Sequence, residues 1–264
     1  VGEEDMTAVD ESTFGHLHAA WYDRWFSTKN YPAEVDQLRR IFAVADGDVR
    51  SILDVGCGTA RHLDLLARAG HDVVGVDRSR AMVDVAAGRL AASGSGGTVM
   101  EADVAELRLD RVFDATIMMS WVFSYHVSDR ELFTTLDVVH RHLRPGGLLA
   151  FDVVDGSVLL QDGARGGFSV IADGDKEFLR ESSPVLRPAE QLYEIGLRMW
   201  VFDDARLVAA AEETHQVRYF LPREVELILE VAGFALLGSE PLAGSQPGPA
   251  RELTRLFWAR REAR

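Results

Sequence analysis

The sequence predicts an α/β protein: a doubly wound, mostly parallel seven-stranded sheet, with a small antiparallel β-sheet inserted before its last two strands. Three observations predict it. A strand, a glycine-containing turn, a helix-length segment and a second strand follow one another from Ser51 to Asp77. Short apolar runs rich in β-branched residues then alternate with helix-period segments as far as Asp155. Beyond about residue 178 the pattern changes to long strict alternation around a turn, which is the signature of a hairpin.

Each element has its own justification. Residues 1–13 read as an acidic lead. Phe14, Leu17, Ala20, Trp21 and Trp25 recur at helical spacing over 14–26, and a second helix is expected over 33–42 with Pro32 in its first turn. The first strand is 52–55, and the helix after it is 59–69, stopped by Gly70. A second strand over 73–76 leads to Asp77; Ser79 then caps a helix over 80–92, and a Gly/Ser-rich loop follows over 93–97. Strands are expected at 98–100 and 113–119, then a helix at 129–143 stopped by Arg144-Pro145-Gly146-Gly147, then a fifth strand at 148–154. Over 191–202, Tyr193, Ile195, Leu197, Met199 and Val201 share one face, while Leu192, Glu194, Gly196, Arg198 and Trp200 share the other. A turn at 203–206 returns the chain along 207–220, and 178–181 offers a further strand. Pro222 opens a helix that Gly233 ends, and strands at 234–237 and 253–260 complete the seven. The expected organisation is therefore N-terminal helices and a ligand-binding core over 1–155, an inserted antiparallel subdomain over 156–220, and the last part of the core sheet over 221–264.

Composition limits the partners. A chain of 264 residues with a formal net charge of −14 lacks the cationic stripes that a phosphate backbone requires, so no nucleic-acid partner is expected. No run approaches the roughly 20 apolar residues of a spanning helix, and the acidic opening is not a charged-then-apolar leader, so no membrane partner is expected. The single cysteine, Cys57, has no internal disulfide partner, which fits a reduced cytoplasmic setting. No metal site is expected.

The chemistry is concentrated in Asp54-Val-Gly-Cys-Gly-Thr and in Asp77. Glycines 56 and 58 let the backbone turn sharply and approach a ligand, and an acid after the second strand can accept hydrogen bonds from ribose hydroxyls. That arrangement suits an adenosine-containing ligand. A nicotinamide dinucleotide needs Gly-x-Gly-x-x-Gly, but Thr59, Ala60 and Arg61 follow Gly58, so the third glycine is missing. A nicotinamide-dependent oxidoreductase is thus the weaker alternative. S-adenosylmethionine carries a sulfonium and an amino-acid end, for which an acid just before the glycines, Asp54, is useful.

These residues resemble motifs I and II of the class I S-adenosylmethionine-dependent methyltransferases, and Leu-Arg-Pro-Gly-Gly over 143–147 resembles a further family motif. The resemblance covers about 22–155 and implies a Rossmann-like methyltransferase fold with S-adenosyl-L-methionine as cofactor. Carried over residue by residue, it implies that Tyr22 of the Tyr22-Asp23 pair borders the cofactor. It implies that Asp54 holds the cofactor's amino-acid end, Asp77 the ribose and Asp103 the adenine. Gly56, Gly58, Arg78, Met82, Val104 and Met119 would shape the remaining contacts. The long insertion, with His215 and the Phe220-x-Pro222 run, is similar to that of small-molecule methyltransferases, including N,N-dimethyltransferases of nucleotide-linked amino sugars. The implied activity is methyl transfer to an amine or hydroxyl of a small, sugar-like acceptor in secondary metabolism. A non-catalytic cofactor-binding partner protein is the other alternative, because the transfer step needs few dedicated residues. His126, after the fourth strand, is the candidate general base; its competing reading is a loop histidine bonded to backbone. Tyr125, Arg198, His215 and Arg218 are candidate acceptor contacts, against plain strand roles for His215 and the two arginines.

Overall fold

The computed structural model describes residues 14–44, 48–244 and 253–262; the expectation for residues 1–13 lies outside them. Two helices open the described chain, α1 (His16–Trp25) and α2 (Tyr31–Phe42). Asn30 starts α2 by accepting a hydrogen bond from the backbone of Ala33, with Pro32 in the first turn where no amide donor is needed. The core then alternates: β1 (Ser51–Val55), α3 (Arg61–Arg68), β2 (Asp72–Asp77), α4 (Arg80–Ser93), β3 (Thr98–Glu101), β4 (Phe113–Met118), α5 (Asp129–His142) and β5 (Leu143–Asp155). Ser79 caps α4 through the amide of Met82, and Ser128 and Glu131 form a reciprocal capping box on α5. After β5 come α6 (Gly156–Asp162), β6 (Gly167–Asp173), β7 (Lys176–Arg187), β8 (Leu192–Asp203), β9 (Arg206–Phe220), α7 (Pro222–Ala232), β10 (Phe234–Pro241) and β11 (Thr254–Arg261).

The seven core strands lie in the order β3-β2-β1-β4-β5-β11-β10; the first five are mutually parallel, and β11 runs antiparallel to both its neighbours. Successive side chains of each strand enter opposite layers. Leu53 and Val55 join the layer of α5 and α7, whereas Ile52 joins that of α2 and α3; in β5, Leu149, Phe151 and Val153 part from Leu148 and Ala150 in the same way. The doubly wound sheet expected from the sequence is therefore present.

The antiparallel sheet is larger than expected. The order β9-β8-β7-β6 continues from β5, through the parallel pairing of Val154 and Asp155 with Tyr219 and Phe220. The short strand expected at 178–181 is a twelve-residue strand, and β6 and α6 had no sequence counterpart. β6 is an exposed edge strand in which the alternation of Phe168, Ser169 and Val170 is broken at Ile171, too short a pattern to read as a strand.

Helix α1 ties the two sheets together. Trp21 stacks on Phe178 of β7, Arg24 pairs with Asp173 of β6 at 2.6 Å, and Arg180 of β7 lies over the Trp25 ring. On its other side, Asp23 accepts a 2.8 Å hydrogen bond from Thr59, just before α3, and pairs with Arg89 of α4. No helix among the described residues is long and apolar enough to cross a membrane.

Candidate active site

The turn after β1 is fastened to β2. Gly56 and Cys57 both donate to the carbonyl of Val76, at 2.8 and 3.0 Å. Gly56 has φ +70°, and a Cβ there would lie 2.5 Å from Cγ2 of Val122, so both backbone and space require glycine. The amide of Gly58 donates to Oδ2 of Asp77 at 2.9 Å, and the amide of Ser79 donates to Oδ1 at 2.8 Å. Asp77 therefore fixes the loop, while its remaining lone pairs stay free for ligand hydroxyls. Ala60, where the family's third glycine would stand, is fully buried and left-handed at φ 61°, a conformation glycine takes without strain.

Asp54 is buried at 2% exposure. Burial, and then the nearby charge of Asp77, push its carboxyl well above the ordinary range; burial also raises Asp77. A buried acid and a half-buried one, close together and both with raised pKa values, form a site that a cation would relieve. Asp54 borders a small cavity with Tyr22, Tyr31, Arg61, His62 and Ser120. The Arg61 guanidinium lies 4.7 Å over the Tyr31 ring.

This small cavity adjoins a cleft of about 540 Å³ across the C-terminal ends of β1, β2 and β4, where ligands of open α/β sheets bind. Tyr22, Gly56, Gly58, Asp77, Arg78, Met82, Asp103, Val104 and Met119 line the cleft, as do Tyr125 and His126. Asp103 accepts from the amide of Ala105 at 2.8 Å, which orients its carboxylate at the loop after β3. At the end of β4, Ser120 and Trp121 are both left-handed at φ 66°. The buried carboxylate of Asp152 holds them, accepting from their amides at 3.0 and 2.6 Å. Burial outweighs these bonds and raises Asp152 to about 6.

His126 lines the cleft with both ring nitrogens engaged. Nδ1 donates to the carbonyl of Phe123 at 3.1 Å, and Nε2 accepts from the hydroxyl of Thr135 at 2.7 Å. Burial lowers its pKa, and its charged neighbours are Glu131, Arg78 and Asp103, on the Asp103 side of the cleft. The backbone-bonded reading is the one the geometry matches, and Nε2 is already taken by the Thr135 hydroxyl.

The four candidate acceptor contacts separate. Tyr125 faces the cleft, and its hydroxyl meets Nδ1 of His215 at 2.6 Å, so His215 stands behind it. Arg198 lies outside the cleft, paired with Glu212 at 3.0 Å and Glu181 at 3.8 Å on the outer face of the antiparallel sheet. Arg218 also lies outside, over Phe220 and bonded at 2.6 Å to both Asp129 and Glu224. Strand parity accounts for this: along β9, Ala211, Glu213, His215, Val217 and Tyr219 turn inward, and Arg218 falls on the other phase.

Sequence reasoning missed Glu213 and His18. Glu213 is 4% exposed. Its Oε2 meets Nδ1 of His18 at 2.7 Å and Nε2 of His215 at 2.8 Å, and accepts from the amide of Phe14 at 3.2 Å. Burial opposes its charge, but the bonds from His18 and His215 prevail and hold it at about 2. Burial lowers His18. The three donor atoms lie within 4.8 Å of one another and satisfy each other by hydrogen bonding. An acid in phase with the apolar face of β9 was the available signal.

The comparisons with known proteins agree with this geometry. Residues 52–147 match the family model described as a methyltransferase domain. The chain is 27% identical over 233 residues to the dTDP-3-amino-3,4,6-trideoxy-alpha-D-glucopyranose N,N-dimethyltransferase of Streptomyces venezuelae, covering 88% of this chain and 94% of that one. It is 26% identical over 204 residues to the cypemycin N-terminal methyltransferase of a Streptomyces species, covering 77% and 80%. Its fold matches the sugar N-methyltransferase KedS8 from Streptoalloteichus with a TM-score of 0.82 over the whole of both chains, at 23% identity. With the ordered motifs, the doubly wound sheet and the glycine-loop cleft in place, residues 52–147 are a methyltransferase domain, and the chain as a whole is similar to S-adenosylmethionine-dependent methyltransferases.

Proposed function

We propose that this protein transfers a methyl group from S-adenosylmethionine to an amine of a small, sugar-like acceptor. The observation that carries the cofactor side is Asp54, a buried acid beside Asp77 that receives no hydrogen bond from any described residue. The ammonium of the cofactor's amino-acid end suits it, and Arg61 over Tyr31 suits the carboxylate of the same end. Asp77 then takes the ribose hydroxyls and Asp103 the adenine, with Arg78, Met82, Val104 and Met119 closing the groove and Tyr22 bordering the methyl end. When bound, the cofactor supplies an already activated methyl group, so the protein's main contribution is alignment of the acceptor.

Nitrogen as the acceptor atom is supported by the two relatives above, whose names specify an amino sugar methylated on nitrogen and the N-terminus of cypemycin. The acceptor would lie in the cleft beside Tyr22 and Tyr125, and residues 156–220 would bear on specificity from behind Tyr125, through His215. The test is turnover with S-adenosylmethionine and a nucleotide-linked amino sugar, alongside its hydroxy analogue. The expected result is a mass gain of one or two methyl groups on the amino sugar, located on nitrogen by fragmentation. Methylation of the hydroxy analogue alone would contradict the nitrogen assignment.

A further inference from the structure

We propose that Tyr125, His215 and Glu213 form a proton-accepting relay at the acceptor end of the cleft, with His18 as a second positioning donor; the proposal rests on the amine-methylation reading above. With His215 neutral, one arrangement of protons satisfies the contacts. The Glu213 carboxylate only accepts, so Nε2 of His215 and Nδ1 of His18 carry hydrogen toward it, at 2.8 and 2.7 Å. A neutral His215 then has its lone pair on Nδ1, and the Tyr125 hydroxyl donates to it at 2.6 Å. The phenol oxygen keeps its lone pairs for the cleft that Tyr125 lines.

The assembly is held rigidly. Phe14 sits at φ 59°, donates its amide to Glu213 at 3.2 Å and accepts from the Ser79 hydroxyl at 2.9 Å. Its ring touches those of His18, Tyr125 and His215. Packing alone would be served by an apolar residue at position 213, as at Ala211 and Val217 on the same face. A buried carboxylate bonded by two histidines stabilises positive charge that arrives on one of them.

The proton transfer balances. The amine nitrogen attacks the methyl carbon, the C–N bond forms, the C–S bond breaks and its electron pair returns to sulfur. An N–H bond of the resulting ammonium breaks as a bond to the phenol oxygen forms. The original phenol O–H bond breaks as hydrogen joins Nδ1 of His215. The imidazolium so formed lies against Glu213, and the relay's net charge goes from −1 to zero. The proton returns along the same path to water when product leaves. Tyr125 never ionises, in keeping with the high phenol pKa that its burial imposes. The charged and titratable groups facing the relay are Arg180 of β7, Arg78 after β2, and Tyr22 and His18 of α1. Tyr125 is the catalytic residue, and His215, Glu213 and His18 position and charge it.

The test has two arms. Nitrogen NMR of the ligand-free wild-type protein, with histidines labelled with nitrogen-15, reads the His215 tautomer without any turnover. Hydrogen on Nε2, and a shifted Nδ1 resonance in Tyr125→Phe, are expected; hydrogen on Nδ1 overturns the relay. In turnover of whichever amine is methylated, Tyr125→Phe should lower kcat by roughly 100-fold with the affinity for S-adenosylhomocysteine kept within about threefold. The acid limb of kcat/KM should move to lower pH in Glu213→Gln, because the imidazolium loses its counter-charge, and Glu213→Asp should restore part of the rate. Variants within twofold of wild-type kcat, an unmoved acid limb, or a wild-type requirement for a divalent metal would each overturn it. If the wild type methylates only hydroxyls, the nitrogen reading fails while the tautomer result still decides the relay.

Discussion

The two walls of the cleft are built in different ways. The cofactor wall is local: Asp54, Gly56, Gly58 and Asp77 lie within one β-loop-α-β unit, and each is positioned by the end of its own strand. The opposite wall is assembled across the chain, because Phe14, His18, Tyr125 and His215 converge on Glu213 from sequence separations up to 199 residues. The first wall is a property of a motif and the second a property of a fold. Changes to the first should therefore alter cofactor affinity, and changes to the second should alter turnover and acid stability.

The largest effect is expected at Gly56. Gly56→Ala places a Cβ against Val122 and forces a left-handed alanine, which together should cost about 2–5 kcal/mol in denaturant unfolding and abolish cofactor binding in calorimetry. Retained binding would show that the loop tolerates a shift and would weaken the account of the cofactor wall.

The acid dependence of Glu213 comes next and belongs to the other wall. Its carboxyl is held at about 2 against an ordinary value of 4.5, so its contribution is present above about pH 4.5 and is lost as pH falls toward 2. That difference corresponds to about 3 kcal/mol. The unfolding midpoint of wild type should fall between pH 5 and pH 3 by more than that of Glu213→Gln; parallel curves would remove the ionised carboxylate from the account.

Asp152 joins the walls and has the opposite sign. Its pKa is raised from 3.8 to about 6, so its contribution is full below about pH 3.8 and is lost as pH rises through 6. Asp152→Ala also leaves the amides of Ser120 and Trp121 without their acceptor, at about 1–3 kcal/mol for a buried donor. Unfolding of wild type and variant at pH 4 and pH 7 checks both signs. The smallest effect is expected at Ala60: Ala60→Gly relieves a buried left-handed alanine and should stabilise by at most about 1 kcal/mol, with cofactor affinity unchanged.

The same division decides what could be read from the sequence. The core strands, their order of appearance and the glycine turn were legible because apolar period and turn chemistry act over a few residues. All the cofactor positions singled out there border the cleft or the small cavity beside it. The acceptor wall was legible only in part. Tyr125 and His215 were singled out, but their link depends on β9 folding back beside β5, a contact of two residue pairs that no local pattern encodes. Arg198 and Arg218 were chosen for charge, although strand parity put them outward, where acidic partners neutralise them. His126 was chosen for its position after β4, and the carbonyl and hydroxyl that occupy its nitrogens belong to residues three and nine positions away. Edge strand β6 left only the short run Phe168-Ser169-Val170, because its alternation stops at Ile171.

The most direct test of this two-wall account is calorimetric titration of S-adenosylhomocysteine into wild type, Asp77→Ala and Glu213→Gln under one condition near neutral pH. One equivalent should bind wild type, Asp77→Ala should lose at least about tenfold in affinity, and Glu213→Gln should bind within a few-fold of wild type. Equal losses in the two variants, or undiminished binding in Asp77→Ala, would contradict it.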